Sequence, residues 1–430
     1  MKGWRGALLA GSLLFIAVAT LSPGRAIGLS TARTDFFCLA CGPEGGADVT
    51  LNIALFIPLG ISLALLGTSP PRALITGALL SVGIETAQYF GLPMGRIASL
   101  SDLLTNATGT LIGASVAWHH RRWLQPSPRA AQLFSCVSVL VITTFLGFTG
   151  WALGHDTQQP VGVEQVGLIH RNGASVAGFG WFHGTVSQVA VNGSRFAHEG
   201  DGPVILFRSM DAPLNGVVDV DGRDERRDFV PFLSVLGGHV ADPELMLGQR
   251  GEDAEVRVRL RGSTWRLPGP TLPLRRAFAA ERGIHRTVRF AVTPERWTLS
   301  STAGTESLTA QLPITLSLGW TLFQSVVHVG DKIARPVTVL WLFLLWLPVG
   351  YWCLIAGQAN AVAPRNRGSG NIQRWLFVTA GVVTLALTSW LVPRAAGIAP
   401  TLPLEWVLSI AGLAAGVFFA ARFYSYIPPQ

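Results

Sequence analysis

Eight hydrophobic runs dominate the chain, and each is close to the roughly 20 residues that a helix needs to cross the hydrocarbon core of a membrane. Only 13% of the 430 residues are charged, about half the soluble average of about 25%, which excludes a disordered chain and an ordinary soluble enzyme. We therefore predict eight transmembrane helices, five before a polar middle region and three after it: Gly6–Leu21, Leu51–Leu66, Ala73–Phe90, Leu103–Trp118, Leu133–Leu153, Val337–Leu354, Trp375–Val392 and Leu404–Ala420.

The basic excess lies in the apolar flanks. Trp151 to Asp331 holds 17 arginines and 19 acidic residues, whereas the rest of the chain holds 16 basic and six acidic residues. Membrane proteins show this bias because of the positive-inside rule. The distribution lacks the basic stripe of a nucleic-acid-binding protein, so we expect no nucleic-acid partner.

Loop charge predicts the orientation of the helices. If the N-terminus is cytoplasmic, the cytoplasmic loops carry ten basic residues and the opposite loops of the membrane half carry six. Both termini are then predicted inside and the polar middle region outside. The first run is either a cleaved signal peptide or an uncleaved anchor, and its length favours the anchor.

The polar middle region shows short alternating segments separated by turn pairs such as Asn192-Gly193 and Asp221-Gly222. This pattern predicts an antiparallel β-sandwich. The predicted strand segments are Val186–Val191, Val204–Arg208, Leu245–Gly248, Glu255–Arg261, Thr287–Val292 and Trp297–Ser300.

The second, third and fourth predicted helices each carry a pair of polar residues three or four positions apart, so that each pair lies on one face. Because successive helices alternate in direction, all three pairs fall near the outer membrane surface. Intramembrane ionisable groups are costly and usually face the bundle interior at a functional site. The sequence therefore predicts an outward-facing ligand pocket formed by Asp48, Asn52, Glu85, Gln88, Arg96, Asp102 and Asn106.

A purely structural interpretation of these residues is also open. Ser101 or Asp102 would cap the fourth helix, and Glu85 would form an ion pair with Arg96. The side-chain amides of Asn52, Gln88 and Asn106 would form interhelical hydrogen bonds. Gly109-x-x-x-Gly113 would be a close-packing face.

Four segments, in order and spacing, resemble the VanZ-like family, which is named after the teicoplanin-resistance protein of glycopeptide-resistance clusters. They are Asn52-Ile-Ala-Leu-Phe-Ile-Pro-Leu-Gly60, Glu85-Thr-Ala-Gln88, Arg96 and Asp102-Leu-Leu-Thr-Asn106-Ala-Thr-Gly109. The resemblance covers about residues 10–125 and implies a small helical domain in a bacterial cell envelope, thus the inner membrane. It adds Pro58, Gly60 and Gly109 to the polar positions, and we place Gly113 with them as structural.

The middle region is similar, more weakly, to concanavalin A-like (laminin G-type) sandwiches, which implies carbohydrate or protein binding. The paired-acid string Glu-x-Asp-x-x-Glu of catalytic members is missing from the sequence, so hydrolysis is not expected. The segment Asp219–Asp224 resembles a calcium turn but has Val230 where an EF-hand loop needs glutamate. Trp181, Trp265 and Trp297 are either sugar-stacking or core residues.

Cys38 and Cys41 lie in the first predicted outer loop, an oxidising location. A local disulfide, free thiols and a catalytic or metal role are all open there, although a zinc site would need further ligands. Cys136 and Cys353 fall in predicted spans and are interpreted as packing residues.

The predicted fold class is a multi-domain membrane protein, with an α-helical transmembrane bundle of about eight helices and an extracytoplasmic all-β concanavalin A-like sandwich. The predicted domains are a VanZ-like transmembrane domain of four helices over 1–125, the fifth transmembrane helix over 126–153, the extracytoplasmic sandwich over 154–330, and three transmembrane helices over 331–430. Expected partners are membrane lipids, an envelope glycan or lipid-linked precursor, and an envelope protein. No cofactor is evident, although calcium in the β-domain is considered.

We expect the pocket to bind an amphiphilic envelope ligand, such as a lipid-linked glycan or a lipoglycopeptide antibiotic, with Arg96 meeting an anionic headgroup. Two alternatives are a membrane enzyme with Glu85 or Asp102 as general base and a lipid transporter. No recognised catalytic motif favours the enzyme.

Overall fold

The computed structural model describes residues 3–22, 45–93, 96, 98–155, 163–168, 182, 184–197, 204–207, 214–222, 229–236, 243–279, 285–358 and 367–424. The disulfide considered for Cys38 and Cys41 lies outside these residues. The helices are α1 (Gly3–Leu21), α2 (Gly45–Leu65), α3 (Pro70–Tyr89), α4 (Leu100–Trp118), α5 (His120–Leu124), α6 (Pro128–Leu153), α7 (Ala334–Gln358), α8 (Arg367–Ala396) and α9 (Pro403–Tyr424).

Six helices in the described parts of the chain are long and apolar enough to cross a membrane: α1, α2, α6, α7, α8 and α9. Helices α3 and α4, which were also predicted to cross the membrane, do not meet the same criterion of length and hydropathy. Their polar residues, among them Glu85 in α3 and Asp102 in α4, lower the mean hydropathy. Eight membrane crossings therefore stay a prediction.

Helices α3 and α4 have their polar side chains inside and their apolar side chains outside. Ser81, Glu85 and Gln88 are buried along one face of α3, whereas Ile75 and Leu79 are exposed on the other. The buried face of α4 likewise carries polar and small residues, and its exposed face carries large apolar ones. This arrangement suits helices whose outer surface meets lipid while their polar groups face other helices.

Helices α2 and α4 pack backbone to backbone because glycines lie at their crossing. A Cβ atom on Gly109 would collide with the carbonyl oxygen of Ile53, and one on Gly113 with that of Ile57. Gly60 of α2 faces the carbonyl oxygen of Thr110 in the same way. Such close approach allows strong van der Waals packing between membrane helices.

Twelve strands in the described residues form two antiparallel sheets. The first has the order β4-β1-β6-β7-β8-β9, and the second the order β12-β11-β10-β5-β2-β3. The strands are β1 (Val163–Leu168), β2 (Thr185–Val191), β3 (Ser194–Ala197), β4 (Val204–Phe207), β5 (Leu214–Asp221), β6 (Val230–Leu236), β7 (Pro243–Arg250), β8 (Asp253–Val258), β9 (Thr271–Leu274), β10 (His285–Val292), β11 (Arg296–Ala303) and β12 (Glu306–Pro313).

The two sheets enclose an apolar core, as expected for a sandwich. Alternate residues of β5, β10 and β11 point into it, so that buried side chains along these strands are separated by exposed or half-buried ones. Trp297 and Phe232 are among its largest members. The predicted Asn192-Gly193 turn joins β2 to β3, and both residues have positive φ angles, as a tight type I′ hairpin requires.

The β region is attached to one end of the helical bundle, which we call the β end. The amide of Gly46 at the start of α2 donates to the carbonyl of Arg266, and the amide of Arg261 donates to the carbonyl of Gly154 after α6. Ala399, after α8, donates to Ile314, and Thr315 donates to the buried carboxylate of Glu405 in the first turn of α9. Glu405 thereby connects α9 to the β region.

The segment that leads from the sandwich to α7 lies against an ion-pair cluster on the first sheet. The buried Glu255 carboxylate accepts from Arg257 at 2.8 Å and pairs with Arg250 at 3.1 Å. His328 lies half-buried beside these arginines. Burial, and next the charge of Arg250, hold the pKa of His328 below its ordinary value of 6.5.

Gly109→Ala is expected to lower the stability of the protein by about 1–3 kcal/mol, since the new methyl group meets helix backbone that cannot rotate away. Thermal unfolding in mild detergent measures this effect. Gly83→Ala is the matched control, because no heavy atom lies within 4 Å of a Cβ at Gly83 in α3. Equal unfolding temperatures for the two variants would contradict the close α2–α4 packing.

The lowered pKa of His328 predicts a pH-dependent stability. As pH falls below about 6.5, the unfolded chain binds a proton at this histidine before the folded protein does, so the free energy of unfolding decreases. Above that pH both states are neutral at this position, and the contribution is constant. Unfolding temperatures between pH 7.5 and 5 should therefore fall more for the wild type than for His328→Gln. Parallel curves would argue against this environment for His328.

Candidate functional site

The β end of the first four helices holds the centre of the predicted pocket. Asn52 of α2 donates from Nδ2 to Oδ1 of Asp102 in the first turn of α4, at 2.8 Å. Asp102 lies within electrostatic range of Asp48 and Arg96. Asp48 is exposed in the first turn of α2, which begins at Gly45 and so extends six residues before the predicted start at Leu51. The close α2–α4 crossing positions this contact.

Glu85 lies on the inner face of α3 and points toward the start of α4. Its Oε2 accepts the backbone N–H of Ser99 at 2.7 Å, and Asp102 is within electrostatic range. Ser99, rather than Ser101 or Asp102, is the N-cap of α4, since its side chain accepts from the amide of Ser101. A buried carboxylate is thereby placed at the N-terminus of α4, where the helix dipole favours negative charge.

Gln88 and Arg96 are directed at α1. Gln88 donates to the carbonyl of Thr20 at 3.2 Å, and Arg96 donates to that of Ala19 at 2.8 Å. Arg96 also reaches the carbonyl of Ser22 at 3.4 Å. Among the described residues no ion pair joins Glu85 to Arg96, which corrects that expectation. The last carbonyls of a helix have no partner within it, and an arginine nearby stabilises them.

Asn106 lies one turn below Asp102, in the contact between α3 and α4. Its Nδ2 donates to Oγ of Ser81 at 3.0 Å. The side chain is 2% exposed, and in the described part of the chain its Oδ1 accepts no hydrogen bond. A buried carbonyl oxygen without a donor is costly. Oδ1 of Asn106, one turn further along α4 than Asp102, is therefore a buried acceptor of the cluster that is still able to accept a hydrogen bond.

The candidates in the β region are more dispersed. Asp219 and Asp221 lie on strand β5 and accept hydrogen bonds from Thr287 and Thr185, and Asp224 of the predicted calcium turn lies outside the described residues. Trp297 is a core residue, whereas Trp265 is exposed beside α6. Within the described residues, no three His, Cys, Asp or Glu side chains are grouped so as to hold a metal ion.

Sequence reasoning missed two serines of the cluster. Ser81 lies four residues before Glu85 and seven before Gln88, and this spacing would have placed it on the same face. Ser99 contributes a backbone N–H, and its role depends on the path of the α3–α4 loop, which no local pattern specifies.

The fold and the cluster together define an α-helical membrane protein with a β-sandwich-like region at one end of its bundle. The VanZ/LLP1 family model matches residues 11–123, which cover the second half of α1, all of α2 to α4 and nearly all of α5. These helices therefore form a VanZ-like domain, as the sequence motifs indicated. No curated protein and no solved structure gives a significant match to the chain, so the concanavalin A-like relationship stays a prediction.

The hydrogen bond between Asn52 and Asp102 should couple α2 to α4 energetically. In a double-mutant cycle of Asn52→Ala and Asp102→Ala, we expect a coupling of about 1 kcal/mol, typical of interhelical hydrogen bonds in membranes. Unfolding of the four proteins in mixed detergent micelles measures it. Asn52→Ala combined with Thr108→Ala, an exposed position on the outer side of α4, is the control pair. Additivity in both cycles would contradict the contact.

Proposed function

We propose that this VanZ-like membrane protein of the cell envelope binds the headgroup of an amphiphilic envelope ligand in the polar cluster of α2, α3 and α4. A lipid-linked glycan or a lipoglycopeptide antibiotic fits this description, and the second would connect the protein to antibiotic resistance. The observation that carries the proposal is the convergence of Asn52, Glu85, Asp102 and Asn106 at one end of an otherwise apolar bundle. Groups of this kind in a bilayer usually mark a site.

The ligand chemistry follows from the charges that the cluster presents. Arg96 donates to carbonyls at the end of α1 and just after it, whereas Glu85 and Asp102 each present a carboxylate to the cluster. Carboxylates accept hydrogen bonds from hydroxyl and amino groups and repel phosphate. We therefore propose that the headgroup is recognised through its hydroxyl or amino groups, with Arg96 holding α1 in place rather than meeting an anion.

The proposed setting is the bacterial inner membrane, with both termini cytoplasmic and the β region outside. The ten-to-six bias of basic residues supports this orientation. The attachment of the β region to the end that holds the polar cluster supports a ligand that arrives from the envelope side. In this setting the β region is the part that contacts a glycan strand.

A membrane enzyme is the second candidate, and the environment of Glu85 favours it over a transporter. A carboxylate has about four acceptor positions, and Glu85 uses one of them, for Ser99, among the described residues. Capacity is left for a proton from a lipid headgroup. Glu85→Gln would then abolish turnover and leave binding intact, whereas a binding protein would show no turnover in either form.

Native mass spectrometry of protein purified in mild detergent tests the main proposal. We expect a discrete lipid or lipid-linked glycan on the wild type and its loss from Glu85→Ala. The matched control is Glu295→Ala, which removes an exposed carboxylate from the β10–β11 turn and should keep the ligand. Retention by Glu85→Ala at wild-type occupancy, or no selective ligand on the wild type, would contradict the proposal. Equal unfolding temperatures would show that the variants are folded.

A further inference from the structure

The connection between α4 and α6 lies at the end of the bundle opposite the β end. The hydroxyl of Tyr351, near the end of α7, donates to the carbonyl of Leu124 at 2.6 Å, and the indole of Trp352 donates to the carbonyl of Trp123 at 3.1 Å. The Trp123 ring stacks on Phe134 of α6, with 5.0 Å between ring centroids. This connection is therefore held firmly against α6 and α7.

Three exposed arginines lie at this end of the bundle: Arg121 and Arg122 in α5, within the connection, and Arg129 in the first turn of α6. In the described structure no hydrogen bond or ion pair engages their guanidinium groups. The sequence has no acidic residue between Asp102 and Asp156, none between Asp331 and Glu405, and none after Glu405. The connection and the neighbouring ends of α7 and α9 therefore supply no carboxylate that would neutralise these arginines.

An exposed apolar stripe continues from the arginines along α6. Arg129, Leu133, Val137 and Leu140 are spaced four, four and three residues apart and so share one face. Leu133, Val137 and Leu140 are all exposed, as is Trp118 at the end of α4. A cation at the start of α6, the Trp123 ring stacked on Phe134 in the next turn and an apolar stripe beyond match the order of phosphate, interface and acyl chain in a lipid.

We propose that this basic connection is a binding site for an anionic phospholipid. Arg121, Arg122 and Arg129 contact the phosphate groups, and the acyl chains lie along the exposed stripe of α6. Arginine presents a planar fork of donors that suits phosphate oxygens. A lipid with two phosphates, such as a diphosphatidylglycerol, matches the three positive charges better than a lipid with one. The site is separate from the polar cluster, and its ligand has the opposite charge preference.

Native mass spectrometry of the full-length protein in dodecyl maltoside tests this site, with diphosphatidylglycerol, phosphatidylglycerol and phosphatidylethanolamine as probes. We expect affinity to decrease in that order. Each basic residue near a membrane surface contributes about 1 kcal/mol, and about 1.4 kcal/mol corresponds to a factor of ten. Replacing all three arginines by glutamine should therefore weaken diphosphatidylglycerol binding roughly 100-fold.

The matched control replaces Arg195, Arg289 and Arg296, three exposed arginines of the β region, by glutamine, and its binding should change less than twofold. Replacement of Arg121, Arg122 and Arg129 by lysine keeps the charge but not the planar fork, and should bind more tightly than the glutamine variant and less tightly than the wild type, which separates loss of charge from loss of fold. Three results would overturn the proposal. The first is equal lipid binding by the glutamine variant and the wild type, and the second is no preference for anionic over zwitterionic lipid. The third is that inorganic polyphosphate, which has no acyl chains, displaces the bound lipid as well as another lipid does.

Discussion

The direct backbone contact between α2 and α4 is the constraint on which the polar cluster depends. Gly60, Gly109 and Gly113 leave no side chain between the two helices, and only at that separation does the short side chain of Asn52 reach Asp102 at 2.8 Å. The glycines contribute nothing chemical to the site. They determine instead which polar groups can touch, so that a packing feature specifies the geometry of a candidate binding site.

Helix α3 completes the cluster because its two faces have opposite character. Its apolar face is exposed, and its inner face places Glu85 against the start of α4 and Gln88 against the end of α1. The unpaired carbonyls of α1 receive Gln88 and Arg96, so the four helices are joined by polar contacts at one end. In a bilayer such contacts are made internally because lipid offers no hydrogen-bond partner.

The sequence predicted in large part which polar residues come together in the cluster, and predicted their hydrogen-bond partners less well. Spacings of three and four residues identified the inner faces of α3 and α4, and alternation of helix direction placed Glu85 and Asp102 at one end. Whether Arg96 would meet Glu85 or α1 depends on the path of the α3–α4 loop, which is a tertiary property. In the β region, alternation identified strands such as β10, but the order of the sheets arises from pairings between distant segments.

The β region and the polar cluster share one end of the bundle, and the connections there are numerous. Backbone hydrogen bonds join the β region to the ends of α2, α6 and α8, and the buried Glu405 joins it to α9. Separating the β region from α9 would remove the hydrogen bond that Thr315 donates to the buried Glu405 carboxylate, and leaving that acceptor unsatisfied is costly. The β region is thus held firmly at the end of the bundle that carries the cluster. Under the proposed function, a headgroup that binds Asp102 from that end would meet a surface built from both parts of the chain.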